Sequence, residues 1–149
     1  MRINFLKVVQ VKESAVNYPA VENRIRTPQD IVNILRHVVR LHEEANERFG
    51  IVNLNTKNAV SGIHIISSGT LDATLVHPRE VFKAAMLNNS SSIILFHNHP
   101  SGDPTPSGED ISMTKRLREA GQILGVEVLD HIIIGDGRFA SLKELGFFA

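Results

Sequence analysis

The chain has 149 residues, of which 42% are hydrophobic and 21% are charged, so it is long enough to bury the core of one globular domain. Its 16 Lys and Arg residues balance 16 Asp and Glu residues, so it lacks the overall basic excess of proteins that bind nucleic-acid phosphates, which leaves only a local patch open. It has no cysteine, which excludes disulfides and thiolate metal sites and leaves histidine, carboxylate, backbone or water as metal ligands.

Residues 1–26 are interpreted as an N-terminal extension. The stretch INFLKVVQV predicts a strand, and the polar residues after it predict a loop. The N-terminus has no sustained apolar core and no small-residue cleavage site, so we expect no signal peptide. No apolar run approaches the roughly 20 residues of a membrane span. We therefore expect a soluble, cytoplasmic protein.

A helix is predicted to begin at Thr27, where the main domain, residues 27–149, also begins. Thr27 can cap the helix, Pro28 suits the first turn, and Asp30 is favoured near the positive helix end. Apolar residues then recur at helical spacing, so we expect this helix to run to about Asn46.

The next segments predict strands and helices in mixed order. FGIVNLN and AVSGIHIIS predict two strands joined by a turn at residues 55–58, and so a hairpin. PREVFKAAMLNN predicts a helix opened by His77 and Pro78, and SIILF predicts a short buried strand. A helix follows from about Ser107, then a strand in VEVLDHIIIG and a short strand plus terminal helix in RFASLKELGFF. This order predicts an α+β protein with a mixed sheet.

The stretch FHNHPSGDPTPSGED, at the end of the SIILF strand, carries the candidate chemistry. Side chains alternate along a strand, so His97 and His99 share one face and can reach one ion. A catalytic zinc takes three protein ligands, and the third should be a nearby carboxylate, with three candidates: Asp103, Glu109 and Asp110. The spacing favours Asp110, which lies in the first turn of the helix that begins at Ser107 and can fold back toward the histidines.

A purely structural interpretation of the same residues is also open. Ser107 and Asp110 are three apart and form a plausible capping box, which can coexist with a second role for Ser107. His97 and His99 alone could be hydrogen-bonded histidines at a strand end. The combination of H-x-H and S-x-x-D after an apolar strand is much more specific than either part.

The pattern of His97, His99, Ser107 and Asp110 resembles the JAMM motif of the MPN/JAB metalloprotease superfamily. The surrounding residues resemble the bacterial RadC family more closely, in SGTLDATLVHPREVFKAA, FHNHPSGDPTPSGED and GVEVLDHIIIGDGRFASLKELGFF. The resemblance runs from about residue 27 to residue 149. Chance agreement over all three segments is improbable.

This resemblance implies an MPN/JAB-like mixed sheet flanked by helices, and one zinc ion per chain held by His97, His99 and Asp110. It implies that Ser107 stabilises an oxyanion. It also implies that a glutamate on an early strand acts as general acid and base on the attacking water, and Glu47 in the pattern E-x-x-G plus apolar residues matches that glutamate.

Other polar residues have simpler interpretations. Glu47 could instead belong, with Glu43 and Glu44, to the solvated end of the first helix. Glu80 is a rival carboxylate that fits a helix start. Among the remaining histidines, His77 is expected to cap a helix, His131 to be a satisfied structural residue, and His64, His37 and His42 to face solvent.

The function expected from these residues is hydrolysis of an amide bond, as in a zinc metallopeptidase or isopeptidase acting on a polypeptide or amide substrate. One alternative is a metal-dependent nuclease or DNA-processing factor, for which DNA as a partner would rest on the family association alone. RadC proteins usually carry an N-terminal helix-hairpin-helix region, for which residues 1–26 are too short. The other alternative is a non-catalytic binding module.

Overall fold

The computed structural model describes residues 1–19, 24–69 and 76–148. A five-stranded sheet carries helices on both faces, which confirms the α+β fold predicted from the sequence. The helices are α1 Pro28–Ile34, α2 Pro78–Leu87 and α3 Gly108–Leu124. The strands are β1 Arg48–Leu54, β2 Val60–Ser68, β3 Ser92–Asn98, β4 Glu127–Ile134 and β5 Phe139–Ser141.

The sheet is mixed, and its strand order is β2-β1-β3-β4-β5. β1 and β2 form the predicted hairpin, β1 also pairs antiparallel with β3, and β3 runs parallel to β4. β3 is the central strand, and every residue of it is buried. This position explains its continuous apolar sequence. At its carboxyl end, His97 is paired with Phe49 of β1 on one side and with Ile133 of β4 on the other.

Two hydrophobic clusters cover the two faces of the sheet, and β1 contributes to both because its side chains alternate. Phe49 and Ile51 pack with α2 and α3, whereas Val52 and Leu54 pack with α1. His97, near the end of β3, points to the face that α3 covers, since it is hydrogen-bonded to the buried His131, which is in turn hydrogen-bonded to Thr114 of α3. This arrangement brings the start of α3 to the end of β3.

The first helix is shorter than predicted. Thr27 and Asp30 form the expected capping box, but the α-helix ends at Ile34 and continues only as a π-helical turn over Leu35–Val39. Arg40 then adopts a left-handed conformation (φ 55°), which breaks the helix before a single 3-10 turn at Leu41–Glu43. The apolar spacing typical of a helix extends to Leu41 in the sequence, because Leu41 is buried even though it lies after the break.

Two other sequence predictions are wrong. INFLKVVQV forms no strand, since it pairs with none of the five strands and its Phe5 side chain is fully exposed. At the other end, the strand β5 forms as predicted, but residues 142–148 form successive turns rather than a helix. These turns are tied back to β4, because Asp130 accepts hydrogen bonds from Ser141 Oγ and the Lys143 N–H.

Candidate metal centre

The centre lies where β3 ends and α3 begins. His97 is the penultimate residue of β3, and His99 follows the strand directly. Ser107 is the N-cap of α3, and its hydroxyl accepts a hydrogen bond from the Asp110 N–H at 3.1 Å. Asp110 Oδ2 in turn accepts from the Ser107 N–H at 2.9 Å. The capping box is therefore real, and it fixes the Asp110 side chain beside the histidines.

Two imidazoles and one carboxylate converge in this centre. His97 Nε2 and His99 Nε2 lie 2.9 Å apart. Asp110 Oδ1 lies 3.3 Å from His97 Nε2, and Asp110 Oδ2 lies 3.2 Å from His99 Nε2. Ligands at about 2.0–2.1 Å around a tetrahedral zinc are separated by about 3.3 Å. The three side chains form a cluster that can hold a metal ion.

The hydrogen bond made by His99 shows which of its two ring nitrogens has a lone pair directed at the cluster. His99 Nδ1 lies 2.8 Å from the Asp103 carbonyl oxygen, which can only accept, so Nδ1 is the donor. In the neutral ring, Nε2 then carries a lone pair directed at His97 and Asp110. Three electron-pair donors facing one another need a proton or a cation between them, and so the donor set fits a metal ion.

The contacts within the cluster also favour the ionised form of the Asp110 carboxyl, which is the form that binds a cation. Burial alone would raise the pKa of the Asp110 carboxyl, but its contacts with His97 and His99 outweigh burial and hold the pKa well below its usual range. The contact with Asp110 raises the pKa of His99 above its ordinary value, against the opposing effect of burial. Without a metal, protons compensate the carboxylate, and a metal ion has to displace them.

Glu47 lies immediately before β1, at the edge of the centre. It is half-buried, and its backbone carbonyl accepts a hydrogen bond from the Gly69 N–H at 2.9 Å. Its carboxylate is close enough to contribute to the raised pKa of His99, after the larger effects of Asp110 and Asp103. The break at Arg40 separates Glu47 from the first helix.

Asn98 positions the segment that carries Glu47, a role that sequence reasoning missed. The Asn98 side chain points to the opposite face from His97, and its oxygen accepts from the Arg48 N–H at 2.7 Å. Its amide nitrogen donates to the carbonyls of Asn46 at 3.1 Å and Glu44 at 3.4 Å. The residue between the two histidines thus ties residues 44–48 to the end of β3.

The rival carboxylates are engaged elsewhere. The Asp103 carboxylate accepts from the backbone and hydroxyl of Thr105. Glu43 pairs with Arg40, Glu44 with Arg48, and Glu80 with Lys83, all within about a turn of chain. Glu109 is exposed at the start of α3. None of these five carboxylates belongs to the metal-binding cluster found among the described residues.

The other histidines divide into three groups. His77 caps α2 as expected, and His37 and His42 lie at the surface as expected. His64 does not face solvent freely: its Nδ1 lies 2.8 Å from the oxygen of the fully buried Asn53, and partial burial lowers its pKa. His131 is a buried, hydrogen-bonded residue, as predicted, but its partner is His97. Complete burial lowers the pKa of His131 well below its ordinary value, so its ring is neutral.

A groove of about 490 Å³ opens beside His99. Its floor includes the buried side chains of Leu41 and Ile134, and charged residues such as Arg36 and Asp136 line its sides. A volume of this size is within the range of small-molecule and peptide-binding clefts. Of the three residues of the cluster, His99 lines this groove.

Within the described ranges, no helix has the length and apolar character needed to cross a membrane. Residues 25–147 match the family model of the RadC-like JAB domain. Part of one segment that carried the resemblance in the sequence, residues 70–75, lies outside the described residues.

Several curated relatives carry the name UPF0758 protein. One from Desulfitobacterium hafniense is 55% identical over 135 residues, which cover 91% of this chain and 59% of the relative. One from Moorella thermoacetica is 58% identical over 120 residues, which cover 80% of this chain and 52% of the relative. The chain thus spans a little over half the length of these relatives. The mixed sheet and the histidine–aspartate cluster are consistent with these matches in sequence. The chain therefore belongs to the RadC-like JAB domain family.

Proposed function

We propose that this protein is a zinc-dependent hydrolase that cleaves an amide bond, as a metallopeptidase or isopeptidase does. The observation that carries the proposal is the convergence of His97 Nε2, His99 Nε2 and the Asp110 carboxylate within hydrogen-bonding distances. These three side chains would hold one zinc ion. Two imidazoles and one carboxylate suit zinc better than magnesium, which prefers an all-oxygen site.

When bound, zinc acts as a Lewis acid that lowers the pKa of water from about 16 toward 7 and polarises a carbonyl group. Three protein ligands are typical of catalytic zinc sites, whereas structural sites use four. The cluster formed by the described residues contains three donor side chains, His97, His99 and Asp110, and this number favours a catalytic over a structural role.

Glu47 is proposed as the general base. Its half-buried carboxylate lies near His99, and Asn98 holds the backbone on both sides of it. The carboxylate would accept a proton from the attacking water and deliver it to the nitrogen of the leaving amine. The amide C–N bond breaks, and the products are a carboxylate and an amine.

Ser107 is proposed to stabilise the developing oxyanion. Its hydroxyl oxygen accepts from the Asp110 N–H, so its own proton is free to be donated. A donor already held in place by the helix cap needs little reorganisation when negative charge develops on the carbonyl oxygen. The groove beside His99 would hold the chain of a polypeptide or amide substrate.

The first experiment measures the metal content of purified wild type and of His99→Ala without added metal. About one zinc per chain in wild type, lost in the variant, is expected. The second experiment screens peptide, isopeptide and small amide substrates with wild type and Glu47→Gln. The variant should keep zinc and lose turnover, since the amide is isosteric but cannot accept the proton.

The matched control is Glu80→Gln, because Glu80 is an exposed carboxylate that pairs with Lys83 on α2, away from the centre. This variant should keep both zinc and turnover. A wild type that takes up no zinc when zinc is supplied would contradict the proposal and favour a binding module. Full turnover in Glu47→Gln would contradict the base assignment alone, and zinc-dependent plasmid cleavage abolished by His97→Ala would favour the nuclease alternative.

A further inference from the structure

A continuous chain of hydrogen bonds, two of them buried and one partly buried, connects two of the proposed zinc ligands. Thr114 Oγ1 lies 2.7 Å from the carbonyl oxygen of Asp110 and 2.6 Å from His131 Nδ1. His131 Nε2 lies 2.7 Å from His97 Nδ1. Thr114, His131 and His97 are 2%, 0% and 1% exposed, so water cannot replace any of these partners.

Only one arrangement of protons satisfies every contact in this chain. The Asp110 carbonyl can only accept, so the Thr114 hydroxyl must donate to it, and the hydroxyl oxygen then accepts from His131 Nδ1–H. A neutral imidazole has a single N–H, so His131 Nε2 accepts from His97 Nδ1–H.

The reverse arrangement is unfavourable. If the Thr114 hydroxyl donated to His131, the two oxygens 2.7 Å apart in Thr114 and Asp110 would face each other with no proton between them. The reversed chain would also place the His97 proton on Nε2, the nitrogen that faces Asp110. A proton on that nitrogen is incompatible with metal coordination.

We propose that Thr114 and His131 are positioning residues that select the metal-binding tautomer of His97, with the Thr114 hydroxyl as the group that sets the direction of the chain. The same hydroxyl is bonded to the backbone of Asp110, one helical turn earlier in α3. It therefore anchors β4 and His97 on one side and the carboxylate ligand on the other. This inference rests on the proposed function only in assuming that His97 and Asp110 bind zinc.

The two proposed histidine ligands depend on the rest of the fold in different ways. His99 receives its orientation locally, from the Asp103 carbonyl four residues later. His97 depends on a histidine 34 residues away in sequence and on a threonine of α3. Loss of the Thr114 hydroxyl should therefore affect metal binding although Thr114 contacts no metal.

The test compares zinc affinity in Thr114→Val, Thr114→Ser and wild type, by competition with a chromophoric chelator, together with the absorption spectrum of the cobalt-loaded proteins. Thr114→Val keeps the shape of the side chain but removes the hydroxyl, and its zinc affinity should fall by about 10- to 100-fold. Thr114→Ser keeps the hydroxyl and should retain the wild-type affinity and cobalt spectrum.

Ser90→Ala is the control for a general loss of stability. It removes a 2.7 Å hydrogen bond to the fully buried Asn53, at the opposite end of the sheet from the centre, and should leave zinc affinity unchanged. Equal zinc affinity in Thr114→Val and wild type would overturn the inference. A wild type without zinc would instead overturn the proposed function.

A second measurement needs no variant and stays informative if Thr114→Val does not fold. Nitrogen-15 NMR of the imidazoles in metal-free wild type reports which nitrogen of His131 carries the proton. The expected tautomer has the proton on Nδ1, directed at Thr114, and a lone pair on Nε2, directed at His97. A His131 proton on Nε2 would overturn the inference, since the chain would then run in the opposite direction.

Discussion

Zinc affinity should depend steeply on pH, because protons and the metal compete for the same atoms. In the metal-free protein the contact with Asp110 raises the pKa of His99 above its usual value, so below that pKa the Nε2 atom holds a proton. The perturbation is a titration from about pH 8 to about pH 5. Affinity should be highest at the alkaline end and fall as the pH drops through the raised pKa of His99.

The structure limits the size of this effect by limiting which groups exchange protons. Each proton that the metal displaces changes the dissociation constant about tenfold per pH unit. Asp110 adds none in this range, because its pKa is held well below its usual value. His131 adds none, because burial lowers its pKa and keeps it neutral. The proton on His99 remains, so the slope should be about one, or about tenfold per pH unit.

The assay is competition with a chelator whose own pH dependence is measured separately in the same buffers. A plot of the logarithm of the dissociation constant against pH should flatten at the alkaline end and steepen to a slope of about one below the raised pKa of His99. A dissociation constant that does not change across the range would refute the reasoning, because His99 could not then be a ligand. A slope of two or more would show that the metal also displaces a proton from a group other than His99.

Three further predictions test individual contacts by substitution. Ser107→Ala should lower the free energy of unfolding by about 1 kcal/mol through loss of the helix cap, whereas Ser107→Gly should lower it by only a few tenths of a kcal/mol. Both are measured by thermal unfolding of the metal-free protein. Equal losses would contradict the capping role. Gly121→Ala should lower the free energy of unfolding by about 1–3 kcal/mol, because the new methyl group would collide with the Val126 carbonyl. Gly108→Ala is the control and should not destabilise the protein, because the space around Gly108 is open. Equal melting temperatures of the two variants would contradict this prediction. Asn98→Ala should keep zinc but lose turnover, since residues 44–48, which contain Glu47 and the start of β1, lose three hydrogen bonds. Unchanged turnover would contradict a positioning role.

Local chemistry made much of the candidate centre readable from the sequence. An apolar strand sequence places alternate residues on one face, and so predicts that His97 and His99 project together. A serine and an aspartate three residues apart predict a helix start, and both capping hydrogen bonds are present at Ser107 and Asp110. These features depend on residues close together in the chain, which is why they could be predicted.

The wrong predictions concern segments whose sequence pattern favours a helix or a strand but whose contacts in the folded protein do not stabilise one. The helical spacing after Thr27 continued to Leu41, but Arg40 turns left-handed and Leu41 is buried from a separate turn. INFLKVVQV has the composition of a strand, but a strand forms only when it pairs with another. Composition cannot show which strands are neighbours.

By itself, then, the sequence determined the strand and helix that supply His97, His99 and Asp110, because backbone periodicity and capping act over a few residues. Only the tertiary structure decided what surrounds them. Asn98 reaches back about 50 residues to the segment that carries Glu47, and the buried ring of His131 links His97 to Thr114. These contacts join residues that are distant in the chain, and their partners are fixed by the order of strands in the sheet and by the packing of α3 against it.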